Sequence, residues 1–150
     1  MKLFFLNKLD YEIWANEAII SSMSTLQNED NRCNFLLSHI LAARVVWLER
    51  IKDETTTKAI WTSQSFDACK TLNIDIDTQY SKYLTSLDDK DFQTTIPYKN
   101  LKQAQFSNTL AEIIHHVFNH SSYHRGQIVS RLKELGAPIP ITDYIVFSRS

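Results

Sequence analysis

The sequence predicts an all-α protein, a bundle of four helices, and three observations carry that expectation. Only 2 glycines and 3 prolines punctuate the 150 residues, so long uninterrupted helices are the natural reading. Apolar residues recur at spacings of three and four through much of the chain. The last long segment opens on a capping-box pair and closes on a glycine followed by a proline, which are the start and stop signals of a helix.

Each element can be justified in turn. Leu3 to about Leu26 sets Leu6, Ile13, Ala18 and Ile20 among polar helix formers, with Asn28 available as a stop or as the next cap. About Asp30 to Ile51 forms the second helix, where Leu36, Ile40, Ala43 and Trp47 repeat at helical spacing. Asp53 to Ser65, rich in Thr and Lys with a lone Trp61, reads as a loop long enough to cross the bundle. Phe66 to Leu87 gives a more polar third helix with Leu72, Ile76, Tyr80, Tyr83 and Leu84 inward and a weak stretch at Asn73 to Asp77. Phe92 to Ile96 and Leu101 to Phe106, around Pro97-Tyr98-Lys99-Asn100, form a small exposed β-hairpin or plain loop. Thr109 and Glu112 open the last helix and Gly136-Ala137-Pro138 ends it, about seven turns later. Pro138 to Phe147 is an apolar tail without helical period, expected to pack back across one end of the bundle.

Composition narrows the function. The length suits a single domain over residues 1–150, and 43% hydrophobic residues supply a sizeable core. A formal net charge of −1 gives no basic surplus for nucleic acid. Cys33 and Cys69 form no CxxC pair and read as buried free thiols in a reducing compartment. The apolar run Leu3 to Leu6 is broken by Asn7, Lys8 and Asp10 before a signal or membrane segment could form, so the chain reads as cytoplasmic, without a membrane partner.

The chemistry lies in the histidines. Four of the five, His115, His116, His120 and His124, fall within ten residues of the last helix. At about 100° per residue, His120 and His124 share one arc with Leu110, Ile113, Val117, Ile128 and Leu135, so two imidazoles stand inside the buried stripe. One turn apart, they can reach a single ion. His39 shares an arc with Leu36, Ala43, Val46 and Arg50 on the second helix and is the third candidate ligand. Three neutral imidazoles suit Zn²⁺, Ni²⁺, Fe²⁺ or Mn²⁺ and leave a position for water or substrate, where the ion would acidify a water or hold a thiolate. Core histidines bonded to carbonyls or water are the plainer alternative, but three unpaired imidazoles would be a heavy polar load for a small core. His116 sits at the edge of the arc as a supporting or structural group, and His115 points to solvent.

Neither His116-Val117-Phe118-Asn119-His120 nor His120-Ser121-Ser122-Tyr123-His124 has a glutamate after its first histidine, which excludes the zincin helix with its built-in base. Gly126 inside the helix costs about 1 kcal/mol relative to Ala, which close approach of another backbone would explain; a tolerated glycine is the alternative. Arg125 and Gln127 are equally readable as solvated, interface or site residues. Tyr123 and Trp47 either line the pocket or belong to the core.

The string Asn119-His120-Ser121-Ser122-Tyr123-His124-Arg125-Gly126-Gln127 resembles the signature of the DinB/YfiT-like metalloenzyme family. The resemblance extends to Tyr11-Glu12-Ile13-Trp14-Ala15-Asn16, to Leu37-Ser38-His39-Ile40 with Arg44-Val45-Val46-Trp47-Leu48, and to Gly136-Ala137-Pro138 before Thr142-Asp143, covering nearly the whole chain. It implies an up-down-down-up bundle, frequent homodimers, and one divalent ion on His39, His120 and His124. Some members of that family act on small molecules with a low-molecular-weight thiol such as bacillithiol or mycothiol, and many were grouped as damage-inducible. Lys102-Gln103 departs from the pattern, because relatives often carry glycine in that turn. The leading expectation is a metal-dependent transferase or hydrolase that activates a thiol or water. A non-catalytic metal-binding or stress-response bundle and an interaction module with core histidines are the rivals.

Overall fold

Three of the long helices begin on a side chain that closes their open first turn. In the computed structural model, which describes residues 1–55, 59–100 and 102–149, the long helices are α1 (Lys2–Met23), α2 (Asn31–Ile51), α3 (Phe66–Ser86) and α4 (Leu110–Glu134). Asp30 accepts from the Cys33 amide at 2.9 Å ahead of α2, and Ser65 accepts from the Ala68 amide at 3.3 Å ahead of α3. The capping box of α4 forms in both directions: Thr109 Oγ1 accepts from Glu112 N at 3.2 Å, and Glu112 accepts from Thr109 N at 2.8 Å. The α4 terminus is equally well defined. Gly136 has φ +71°, and Ala137 N donates to Leu132 O at 3.1 Å, the bond that a left-handed residue after the helix permits.

Contacts near the helix ends fix their directions. Lys2 at the start of α1 bonds Thr85 O at the end of α3, so those two run antiparallel. Arg131 at the end of α4 pairs with Asp30 at the start of α2, at 2.8 Å, so those two also run antiparallel. Ser22 at the end of α1 bonds Pro138 O just beyond α4, and Glu29 reaches both Asn34 and Phe66 N at the starts of α2 and α3. The order is therefore up-down-down-up. Each of α1 and α2 packs on both α3 and α4, which sets consecutive α1 and α2 on a diagonal.

Apolar burial drives the assembly, with Ile19, Leu37, Ile40, Leu41, Ile76, Leu84, Ile114, Ile128 and Leu132 all essentially inaccessible. Two charged seams cross this core. Arg125 on α4 pairs with Glu12 on α1 at 2.6 Å and bonds Asn16 at 3.0 Å. Arg44 on α2 pairs with Asp77 on α3 at 2.6 Å, Asn73 donates to the same carboxylate at 3.0 Å, and Tyr80 donates to the Arg44 carbonyl at 3.0 Å. These seams shape two helices. The inner face of α1 is Phe5, Leu9, Glu12, Ala15, Asn16, Ile19 and Met23, whereas Leu6, Ile13, Ala18 and Ile20 are half-buried, because buried Glu12 and Asn16 blur the apolar period. The stretch Asn73 to Asp77 does not interrupt α3, because Asp77 finds Arg44 and the Asn73 amide N–H as buried partners.

The β-hairpin before α4 is real but displaced from its expected place. A 3₁₀ turn (Asp89–Gln93) carries Phe92 into the core against Phe5, ring centroids 5.0 Å apart, and β1 (Thr95–Lys99) then pairs antiparallel with β2 (Gln105–Thr109). Pro97, Tyr98 and Lys99 are strand residues. The turn comes later because Asn100 supplies its chemistry, its side chain accepting from Lys102 N at 2.9 Å and Ala104 N at 3.0 Å. Gln103 stands there at φ +62°, a conformation that glycine adopts at no steric cost. Leu101, expected to open the second strand, lies outside the described residues, as do residues 56–58 of the α2–α3 connection.

The tail does not cross an end of the bundle but runs along α1. Thr142 O accepts from Tyr11 at 2.7 Å, Tyr144 donates to Asn7 at 2.6 Å, and a single helical turn, α5 (Tyr144–Phe147), sets Tyr144 and Phe147 against Tyr11. Partly buried Leu6, Ile13 and Ile20 on α1 pack against the core beside it. Among the described residues, no helix is long and apolar enough to cross a membrane.

Candidate metal centre

The α4 period places His120 and His124 on one side of the helix, and α2 carries His39 to meet them because these two helices pack along their length. One ring nitrogen from each of the three lies within 4.8 Å of the others, and no Asp, Glu or Cys joins the group among the described residues. His39 Nε2 and His120 Nε2 stand 3.1 Å apart, and the His124 ring lies 4.6 Å from that of His39 and 4.5 Å from that of His120.

The outer nitrogens of two rings are already committed. His39 Nδ1 donates to the Ile60 carbonyl at 3.0 Å, and since a carbonyl only accepts, the lone pair of that imidazole is on Nε2. His124 Nδ1 donates to Gln127 Oε1 at 2.8 Å, which leaves its Nε2 lone pair inward as well. Trp61 lies flat on His39, centroids 3.8 Å apart and planes 13° apart, and holds the ring's orientation. Gln64 N donates to Ser38 Oγ at 2.9 Å and fastens the same segment beside His39.

The protonation state suits ligation. Burial pushes His39 below the ordinary histidine pKa, and burial with the neighbouring His124 and His39 pushes His120 down to about 4. At neutral pH these rings offer lone pairs rather than charges. Nitrogens on one first-row ion sit about 2.9–3.4 Å apart for bond angles of about 90–109° and Zn–N near 2.0–2.1 Å. The 3.1 Å separation falls within that span, so this donor set fits a divalent ion. Two lone pairs facing each other at that distance would repel, and either a cation between them or a proton on His120 Nε2 removes the conflict.

The remaining sequence candidates divide. His120 and His124 border the buried stripe of α4 rather than occupying its middle, and both are half-buried. The stripe centres on Ile114, Phe118, Ser121, Arg125 and Leu132 because Arg125, buried on Glu12, belongs inside it. Leu135, placed on the inner arc by its period, is exposed. Arg125 is thus a paired core residue rather than a solvated one. His116 stays outside the cluster with its ring edge on Trp47 at 5.3 Å, and burial lowers its pKa. His115 is exposed and bonds Asn119 at 2.9 Å. Tyr123 is 67% exposed although its ring lies 5.1 Å from that of His124. Gly126 is exposed and no atom lies within 4 Å of where its Cβ would stand, so close approach of a backbone from this chain does not explain it.

The Ile60 carbonyl and Trp61 escaped sequence reasoning. A backbone carbonyl leaves no signature, while a lone tryptophan in a Thr- and Lys-rich loop was a visible signal. Gln127 was visible three residues after His124, where a helix brings the two side chains together.

The chain is similar to known proteins over its full length. Protein DinB of Bacillus subtilis (strain 168) is 22% identical over 162 residues, covering 96% of this chain and 93% of that protein. A sequence model of the DinB family matches residues 4–150. The match takes in helices, hairpin, histidine cluster and tail together, and the chain belongs to the DinB family.

Proposed function

We propose that this single-domain chain is a cytoplasmic metal-dependent enzyme that acts on a small molecule, with His39, His120 and His124 holding one Zn²⁺, Ni²⁺, Fe²⁺ or Mn²⁺ ion. The observation that carries the reading is the convergence of three ring nitrogens within 4.8 Å while Ile60 and Gln127 occupy the outer nitrogens of two of the rings. Supported imidazoles of this kind are how metal sites set tautomer and orientation. The ion would supply Lewis acidity, generating a nucleophile from water or a low-molecular-weight thiol near neutral pH. Three protein ligands leave coordination free for it, and the half-buried positions of His120 and His124 leave it an approach. Thiol transfer to a small electrophile is the favoured reaction and hydrolysis the second.

Elemental analysis of purified protein tests the site. We expect close to one metal per chain in the wild type and little in His120→Ala or His124→Ala; near-stoichiometric metal in the variants would overturn the ligand assignment. Turnover of a halogenated arene with several thiols, with and without added metal, tests the enzyme. A non-catalytic, damage-responsive metal-binding bundle is favoured instead if no thiol supports turnover, and it draws on the absence of any carboxylate base in the described cluster. Exposed Leu3, Phe4, Ile141 and Ile145 support a homodimer, which sedimentation equilibrium measures directly.

A further inference from the structure

A cleft of about 840 Å³ opens between the end of α2 and the β-hairpin, and it has no place in the metal reading. Arg50, Tyr98, Asn100 and Phe106 line it and also line a narrower recess that continues it, which Trp47 and Ile60 complete. The recess backs onto the histidines: Ile60 gives its carbonyl to His39, and Trp47 meets His116, whose ring is 5.8 Å from that of His120.

Arg50 is the unusual group in this cleft. Its guanidinium carbon lies over the Trp47 ring, 4.7 Å from the centroid, and 5.8 Å from that of Tyr98, and the residue is half-buried. Among the described residues it makes no ion pair and no side-chain hydrogen bond, even though Asp53 and Glu54 stand on the same cleft. Arg44, Arg125 and Arg131 by contrast are all paired with carboxylates. Contact with the two rings uses none of the guanidinium's N–H donors in hydrogen bonds, and such a planar fork can meet a carboxylate with two parallel bonds. A cation in the last turn of a helix also complements the helix dipole. That role needs only a charge, which lysine supplies equally, and does not require two aromatic rings or a cleft.

We infer that this cleft binds a small flat organic carboxylate, its anionic end on the Arg50 fork and its ring or unsaturated part against Trp47, Tyr98 and Phe106. Asp53 and Glu54 on the rim disfavour a second negative charge, so a monoanion is the preferred ligand. The inference goes beyond the metal reading and does not depend on it, because no histidine of the cluster lines the cleft.

Calorimetric titration of the metal-free full chain with benzoate tests it, with benzamide as the neutral isostere and phthalate as the dianion. Benzoate should bind about tenfold or more tightly than benzamide, and also more tightly than phthalate. Arg50→Gln should lose that preference, and Arg50→Lys, which keeps the charge at the helix end, should lose most of it. Thermal melts and metal content of both variants should match the wild type, showing an intact fold and cluster. His124→Ala should lose metal yet keep benzoate binding, which separates failure of the metal reading from failure of this one. Equal binding of benzoate and benzamide, unchanged benzoate binding in Arg50→Gln, or binding only in metal-loaded protein would overturn the assignment. Tighter binding of phthalate than of benzoate would overturn the monoanion preference.

Discussion

A charged seam of the core and the half-buried histidine cluster are built on opposite terms. The Glu12–Asn16–Arg125 seam holds its own counter-charge, a cation meeting its carboxylate at 2.6 Å with the Asn16 amide oxygen and the Ser122 hydroxyl accepting from further donors and Arg125 Nε left without a hydrogen-bond partner among the described residues. The histidine cluster does not. Two of its rings turn their outer nitrogens to Ile60 and Gln127 and the three bring ring nitrogens toward one another, a group that could hold an ion. The contrast separates a charge-paired core from a group of converging ring nitrogens. In the first, a cation and a carboxylate of the same chain neutralise each other; in the second, the facing nitrogens call for a shared proton or an added cation.

Substitution can break this comparison most sharply at Arg125. Arg125→Met leaves Glu12 buried without its cation, and denaturant unfolding should show a loss of about 3–5 kcal/mol. Adding Glu12→Gln should restore much of that, because the cost lies in the uncompensated charge. The histidine cluster should respond through metal instead. Gln127→Ala removes the partner of His124 Nδ1, and competition with a chromogenic chelator should show metal affinity reduced about 10- to 100-fold with little change in metal-free stability.

Acid sharpens the contrast further. His120 is held near pKa 4 in the folded protein against about 6.5 in the unfolded chain, so the unfolded state binds more protons between those values. Stability of the metal-free protein should therefore be full above about pH 6.5 and fall as pH drops towards about 4. Urea unfolding across this window should show a shallower decline in His120→Phe than in the wild type. The smallest effect belongs to Gly126, where Ala should stabilise α4 by about 1 kcal/mol in thermal melts, since the position is exposed and open. A destabilised Gly126→Ala would mean that something outside the chain packs there.

Much of the architecture was legible locally. The cap at Thr109 and the glycine stop at Gly136 act over three or four residues, so the sequence displays them directly, whereas Asn28, available as a cap, yields to Asp30 at the start of α2. His120 and His124 were legible as a pair for the same reason, being one helical turn apart. Less was legible where long-range pairing overrides local pattern. The burial of Glu12 on α1 is not legible from its polar type, and Arg125, 113 residues later, makes it a core residue. The hairpin was placed too early because Pro97 looks like a turn residue, while the Asn100 side chain forms the turn.

Local pattern alone therefore carried the four long helices, their approximate limits, and which histidines could act together on α4. Periodicity and capping are properties of neighbouring residues, so they survive without knowledge of the fold. Tertiary structure alone decided which charges are buried, how the tail lies along α1, that the Ile60 carbonyl and Trp61 frame His39, and that Arg50 faces an open cleft unpaired. Burial and hydrogen-bond partnership are set by residues distant in the chain, and no local pattern encodes them.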